Sequence, residues 1–433
     1  MPSSLDALLA FLLAGLVALL LVPLTDRLAR RVGAIDLPSG RSMHEAPTPS
    51  LGGLAILAGV LVAAAAFLPW DGETRAILCG AVLIAAVGFL DDAIELGAAA
   101  KLAGQTLAVI VPVAAGVEVT SFTVPFLGAL EPGSVELLQL PGGGAVDLGD
   151  VGTVLGVVAA INVINLIDGV DGLAAGVCTI SALALAFIAL SLDRNAAGVL
   201  AALTAGASLG FLRHGFPPAR TFMGDTGSNL LGYLLGVVAV QGALKTNAAI
   251  ALFLPLLILT VPILDTGFVV AKRLKYRRPI YRADTWHFHH RMANIGFSQR
   301  RTLAYLYGWT LVMAGLALAL RFVPYSDDHG SFDLLWSAVM GLLGLLALGA
   351  SVYLVEVLEI LKLRRLRQRQ VAGVAPPPAE RDLDRAVERE LETGTFPAID
   401  PETGEFEAVE RHASLKDYPG DGPDDPSTSG RRT

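Results

Sequence analysis

Charge is scarce in this sequence: Asp, Glu, Lys and Arg make up 17% of its 433 residues, against about 25% in soluble domains. With 53% hydrophobic residues, too little polar surface remains to solvate one soluble core, which excludes an ordinary soluble enzyme. Cysteine is scarcer still. Cys79 and Cys178 are the whole complement, both lie in apolar stretches, and neither belongs to a C-x-x-C pair, which excludes a disulfide framework or a cysteine zinc site. No repeat of the 20–50-residue kind is visible, which argues against a solenoid. The first apolar stretch lacks the basic start of a cleaved signal peptide.

What the chain does have is apolar blocks separated by short polar connections. About eleven approach the ~20 residues needed to cross ~30 Å of hydrocarbon: 5–24, 51–69, 76–90, 102–117, 151–167, 172–192, 196–212, 229–244, 248–270, 302–320 and 334–360. Backbone groups in a bilayer must be paired internally, so each block is expected to be a helix and the fold an all-α polytopic membrane protein. Basic residues are lopsided between the two sides. Arg27, Arg30, Arg31, Arg41, Lys101, Arg213, Arg220, the run 272–282 and the stretch 362–369 fall on one side, with little beyond Arg75, Arg194, Lys245 and Arg321 on the other. By the positive-inside rule the first set is cytoplasmic, the N-terminus outside and the C-terminus inside.

Residues 1–370 thus form a transmembrane domain, and 371–433 an acidic, Pro- and Gly-rich tail with too little apolar content to pack, expected to be disordered. The outer connection 118–150 alternates in places and suits a short hairpin.

Four clusters of unusual residues fall at cytoplasmic helix ends, where ionisable groups tend to face a cavity or one another. Asp91 and Asp92, with Glu95 nearby, are adjacent carboxylates: either a solvated acidic helix end or a site whose repulsion a cation such as Mg²⁺ relieves. Lys101 follows at the next membrane entry, where it could also be a positive-inside anchor. Asn162, Asn165, Asp168 and Asp171 recur every three residues and so share one helical stripe, with Gly169 and Gly172 available for a sharp exit. Phe222-Met-Gly-Asp-Thr-Gly-Ser228 reads as an N-cap or as a phosphate cradle carrying a metal-binding Asp225. His287-Phe-His-His-Arg291 could clamp a pyrophosphate; a zinc site is the rival reading, without the acidic or cysteine ligands that would accompany it.

In this order and topology, together with Gly40-Arg-Ser-Met-His44 and Pro49-Ser-Leu-Gly-Gly53, the clusters resemble the polyprenyl-phosphate N-acetylhexosamine-1-phosphate transferase family, whose branches include MraY-like and WecA/TagO-like enzymes. The likeness runs from about Arg41 to about Tyr307. It implies a UDP-sugar donor, a polyprenyl-phosphate acceptor, Mg²⁺ (or Mn²⁺) as cofactor, the cell membrane as location and a cytoplasm-facing site, with no nucleic-acid partner and room for a homodimer. By motif it implies catalytic roles for Asp91, Asp92, Asp225 and His289, metal ligation by Asp92 and Asp225, and substrate binding by Lys101, Asn165, Asp168, Asp171, His287, His290 and Arg291. Asp91 is open between a base and a supporting metal-shell role.

The histidine loop is closer to the WecA/TagO-like form than to the MraY-like form, which favours UDP-N-acetylglucosamine over UDP-N-acetylmuramoyl-pentapeptide. One departure stands out: where many relatives carry Asn in an Arg-aromatic-Asn-Phe-Pro-Pro pattern, this chain has Arg213-His-Gly-Phe-Pro-Pro218, and His214 is the candidate to compensate. A transporter would also place polar groups in membrane helices, yet paired broken helices in two related halves are not evident.

Overall fold

The structure is a computed structural model that describes residues 2–36, 47–124, 128–139, 145–244, 253–275, 287–288, 292, 297–324 and 333–353. Among them the helices are α1 Ser4–Val32, α2 Gly52–Phe67, α3 Gly72–Ile94, α4 Ala98–Val113, α5 Leu148–Ile167, α6 Leu173–Ser191, α7 Asn195–Gly215, α8 Gly224–Ala239, α9 Phe253–Ile258, α10 Thr260–Lys275, α11 Gln299–Phe322 and α12 Leu334–Val352. Seven of these, α1, α3, α5, α6, α7, α11 and α12, are long and apolar enough to cross a membrane. The chain is therefore an all-α membrane protein, as its composition predicts. The acidic tail and Gly40-Arg-Ser-Met-His44 lie outside the described residues.

Polar residues extend the helices past their apolar blocks. The block 76–90 becomes α3 over Gly72–Ile94, opened by Asp71, whose side chain accepts from Thr74 N, and closed by the turn that carries Asp91 and Asp92. Ser3 and Asp6 form a capping box at the start of α1, and Asp147 and Asp150 do the same for α5. Each satisfies backbone donors that the first helical turn leaves unpaired.

Side-chain size sorts the faces of α1. Its buried stripe is Ala7, Ala10, Ala14, Ala18, Val22, Thr25 and Ala29, while Leu5, Leu8, Leu12, Leu16, Leu20 and Leu24 point outward. Lipid solvates leucine as well as protein does, so close packing of small residues governs association in a membrane. Accordingly α1 lies against α7 with Gly15 and Gly210 at backbone contact. The centre of the bundle is α8, whose residues from Thr226 to Ala239 are all buried. It packs against α2, α3, α5, α6 and α7.

The connection expected to hold one hairpin holds two. Phe122–Val124 pairs antiparallel with Gly128–Leu130, and Glu136–Gln139 with Ala145–Asp147. A third antiparallel pair, Ile35–Asp36 with Thr48–Pro49, links α1 to α2. At this end of the bundle the chain repeatedly turns back, so the C-termini of α1, α3, α5 and α7 meet the N-termini of α2, α4, α6 and α8.

Candidate active site

A cavity of about 690 Å³ opens where those ends meet, lined among others by Asp36, Ser50, Asp91, Asp92, Asn165, Asp168, Asp171, Gly172, Phe211, Gly215, Phe222 and Asp225. Carboxylates from α3, the α5–α6 turn and α8 thus face one space.

Adjacent aspartates on a helix point about 100° apart, and here that divergence separates their roles. Asp91 turns toward α4: its Oδ1 accepts from Leu96 N at 2.7 Å and its Oδ2 lies 2.7 Å from Lys101 Nζ. Asp92 turns toward α8, where Oδ1 accepts from Asp225 N at 2.7 Å and Oδ2 from Thr226 N at 3.0 Å and Thr226 Oγ1 at 2.7 Å. A carboxylate at a helix N-terminus satisfies orphan donors and opposes the helix dipole. Asp92 is therefore the group that fixes the start of α8, and with it the backbone of Asp225.

Lys101 sits between charges. Its Nζ lies 2.6 Å from Asp225 Oδ2 as well as 2.7 Å from Asp91, and it donates to Asn165 Oδ1 at 3.3 Å. Asn165 Nδ2 donates to both Asp225 Oδ1 and Ser228 Oγ. Lys101, Asn165 and Asp225 thus close a ring of contacts across α4, α5 and α8. Asp168 ends α5 and lines the same cavity. Burial pushes its carboxyl well above the ordinary carboxylate range, and the nearby charges of Asp225, Asp92 and Asp171 add to the shift. Asp171 is anchored instead, accepting from Ala219 N at 3.0 Å and so holding the loop that follows α7.

Pro49-Ser-Leu-Gly-Gly53 is the cradle of the loop before α8. Phe222 N donates to Pro49 O at 2.8 Å, Gly52 N to Phe222 O at 2.9 Å and Gly53 N to Met223 O at 3.0 Å. Glycine is required here by close approach. A Cβ on Gly53 would collide with Gly227 N, and one on Gly88 with the Asp225 carbonyl oxygen.

His287 does not line the cavity. It is buried, with Nδ1 2.8 Å from Asp265 Oδ2 on α10, while Phe288 N donates to Asp265 Oδ1 at 2.7 Å. Asp265 therefore anchors the start of the histidine loop; His289, His290 and Arg291 lie outside the described residues. His214 does not stand in for the expected asparagine, because its Nε2 meets Leu19 O at 3.1 Å on α1. Gly215 faces the cavity, and the Phe211 ring fills the space beside it, 2.6 Å from where a Cβ would lie.

Asp265, Gln105 and Asn229 are not conspicuous in the sequence. Gln105 and Asn229 are fully buried and bonded to each other, with Gln105 Nε2 donating to Asn229 Oδ1 at 3.5 Å. The available signal was a polar residue within an apolar block, four positions after Lys101 in one case and after Asp225 in the other.

A helical membrane protein with an oxygen-rich acidic cavity at its helix ends is the class that fold and site define. The sequence profile described as Glycosyl transferase family 4 matches residues 74–243. Similar proteins include the "Probable undecaprenyl-phosphate N-acetylglucosaminyl 1-phosphate transferase" of Bacillus subtilis (strain 168), 38% identical across 72% of this chain and 84% of the relative. The decaprenyl-phosphate N-acetylglucosaminephosphotransferase of Mycobacterium leprae (strain TN) is 33% identical across 72% and 83%. The phospho-N-acetylmuramoyl-pentapeptide-transferase of Desulforudis audaxviator (strain MP104C) is 35% identical across 72% and 95%. The chain belongs to glycosyl transferase family 4.

Proposed function

We propose that the protein transfers N-acetylglucosamine 1-phosphate from UDP-N-acetylglucosamine to a polyprenyl phosphate of the undecaprenyl type, releasing UMP. The observation that carries this reading is the convergence of Asp91, Asp168 and Asp225 on one cavity at the helix ends, with Lys101 paired to Asp91 and Asp225. The N-acetylglucosamine-phosphate names of the Bacillus and Mycobacterium relatives support the choice of sugar. The concentration of basic residues at these helix ends supports a cytoplasm-facing site in the cell membrane. Counting α9 with α10 as one broken span, and adding the shorter α2, α4 and α8 to the seven long helices, supports eleven crossings with the N-terminus outside.

In the reaction a phosphate oxygen of the lipid attacks the sugar-bearing β-phosphorus of the donor. The bond from that phosphorus to the bridging oxygen breaks, and the electron pair leaves with UMP. A phosphate monoester with a second pKa of about 6 is largely deprotonated at neutral pH, so no strong protein base is needed. Charge repulsion between two anionic substrates is the obstacle.

Asp91, Asp168 and Asp225 offer the hard oxygen donors that a divalent cation such as Mg²⁺ takes. Asp225 would hold it together with Asp91, which meets the same Lys101 Nζ, while Asp92 fixes Asp225 through the start of α8. When bound, such a cation supplies charge neutralisation at the transferring phosphate. Lys101 adds a second positive charge within reach of the same carboxylates, and Asn165 orients Asp225.

The test is competition between UDP-N-acetylglucosamine and UDP-N-acetylmuramoyl-pentapeptide at equal concentration, with polyprenyl phosphate, Mg²⁺ and purified protein, and lipid products resolved by mass. The expected product is the lipid-linked N-acetylglucosamine. Dominance of the pentapeptide-bearing lipid would move the protein to the other branch. Absence of any UMP release would refute the reaction.

A further inference from the structure

One helical turn deeper in the membrane, the three helices that bring Lys101, Asn165 and Asp225 together meet again. Gln105 follows Lys101 by four residues on α4, Asn162 precedes Asn165 by three on α5, and Asn229 follows Asp225 by four on α8. At 1.5 Å of rise per residue each lies about 4.5–6 Å below its charged or polar counterpart. These deeper residues also form a chain. Asn162 Nδ2 donates to Gln105 Oε1 at 2.8 Å and to Val158 O at 2.8 Å, and Gln105 Nε2 reaches Asn229 Oδ1 at 3.5 Å.

Such amides are an expensive way to fill space. Burying a primary amide costs free energy that its hydrogen bonds at best offset, and apolar side chains would fill these positions without that cost. What an amide chain provides and leucines do not is a fixed register. A rotation or slide of one helix breaks directional bonds, whereas apolar surfaces tolerate it; buried polar residues that set helix register are the best-attested use of such groups.

We propose that Gln105, Asn162 and Asn229 form a layer of positioning residues that locks the rotation of α4 and α8 against α5, so that Lys101 Nζ meets Asp225 and Asn165 above it. The significance of the layer for turnover rests on the phosphoryl transfer proposed above; its effect on Lys101 does not. The layer leaves substrate untouched and acts through the ring above it. Lys101 is the sensitive member, because its long side chain reaches its partners only if α4 presents it on the α5–α8 side.

The test uses the full-length protein in detergent or nanodiscs and the variants Gln105→Leu, Asn229→Leu and the triple Gln105→Leu/Asn162→Leu/Asn229→Leu. Site-resolved acylation of Lys101, read by mass spectrometry, reports whether its ammonium remains locked, without requiring turnover. The expected result is at least fivefold faster labelling of Lys101 in all three variants. It should be accompanied by a kcat at least tenfold lower, KM values for donor and acceptor within about threefold of the parent, and a melting temperature unchanged or higher in the triple variant.

Tyr233→Phe is the control, since it removes a buried bond to Ile77 O one turn further along α8; it should move neither labelling nor kcat. Unchanged Lys101 labelling in the triple variant would overturn the proposal, as would losses of kcat and KM that track a lowered melting temperature in every variant, Tyr233→Phe included. If the parent protein releases no UMP, the reaction fails while the labelling comparison still decides the layer.

Discussion

Replacing Asp92 with Asn separates a structural carboxylate from a chemical one. Its two oxygens accept three hydrogen bonds from the first turn of α8, two from backbone N–H groups and one from the Thr226 hydroxyl. An asparagine can keep its single oxygen toward Thr226, but its NH₂ then faces the Asp225 N–H. One charge-assisted bond is lost, worth about 1.5–3 kcal/mol. Removing a negative charge from a helix N-terminus costs about another 0.3–1 kcal/mol. The variant should therefore be less stable by about 2–4 kcal/mol, a sum of those two terms. Activity should fall about 10²-fold, because a displacement of the Asp225 backbone on the order of 1 Å carries that penalty.

Asp225→Asn makes the contrast. Its oxygen can still accept from Asn165, but its NH₂ then faces the Lys101 ammonium, so activity should fall at least as far; because Lys101 keeps Asp91, the stability loss should be the smaller of the two. Thermal melts of the purified proteins, set beside initial rates of UMP release, measure both quantities. An Asp92→Asn protein as stable as its parent yet inactive would refute the capping argument and return Asp92 to direct metal or substrate contact.

Asp265→Asn should loosen the start of the histidine loop by placing an NH₂ against His287 or Phe288 N; steady-state kinetics should show kcat/KM for the donor at least tenfold lower, a loss of about 1.4 kcal/mol of transition-state stabilisation. A cysteine introduced at Ser298, at the start of α11, should resist impermeant thiol reagents in intact cells and react after lysis; labelling from outside would reverse the orientation. Deleting residues 376–433 should leave kcat for UMP release unchanged, measured on protein that inserts normally.

Much of the site was legible because ionisable residues are conspicuous in a sequence this apolar. Asp91, Asp168 and Asp225 stand out at the ends of apolar blocks, and all line one cavity. The division of labour between Asp91 and Asp92 was not legible, since adjacency says nothing about which neighbour each side chain meets once α3 is packed between α4 and α8. Lys101 reads equally well as a surface anchor until α5 and α8 are placed beside it. His287 reads as part of a pyrophosphate clamp, whereas its partner Asp265 lies hidden in an apolar block 22 residues earlier. Helix ends are not legible for a simpler reason: apolar length marks the hydrocarbon, while caps such as Asp71 and turns such as Asp91–Ile94 carry α3 beyond it.

The glycine contacts around the start of α8 have a consequence for genetics. Gly53 and Gly88 carry no functional group, yet a single methyl on either would press on the backbone that presents Asp225. A screen that scores only lost activity would rank Gly53→Ala and Gly88→Ala with the aspartates and would invite a chemical role for residues whose contribution is the room they leave. Saturation maps of this enzyme would be better sorted by whether activity is lost when volume is added or when a group is taken away, because at this site the two kinds of loss lie side by side on the same helices.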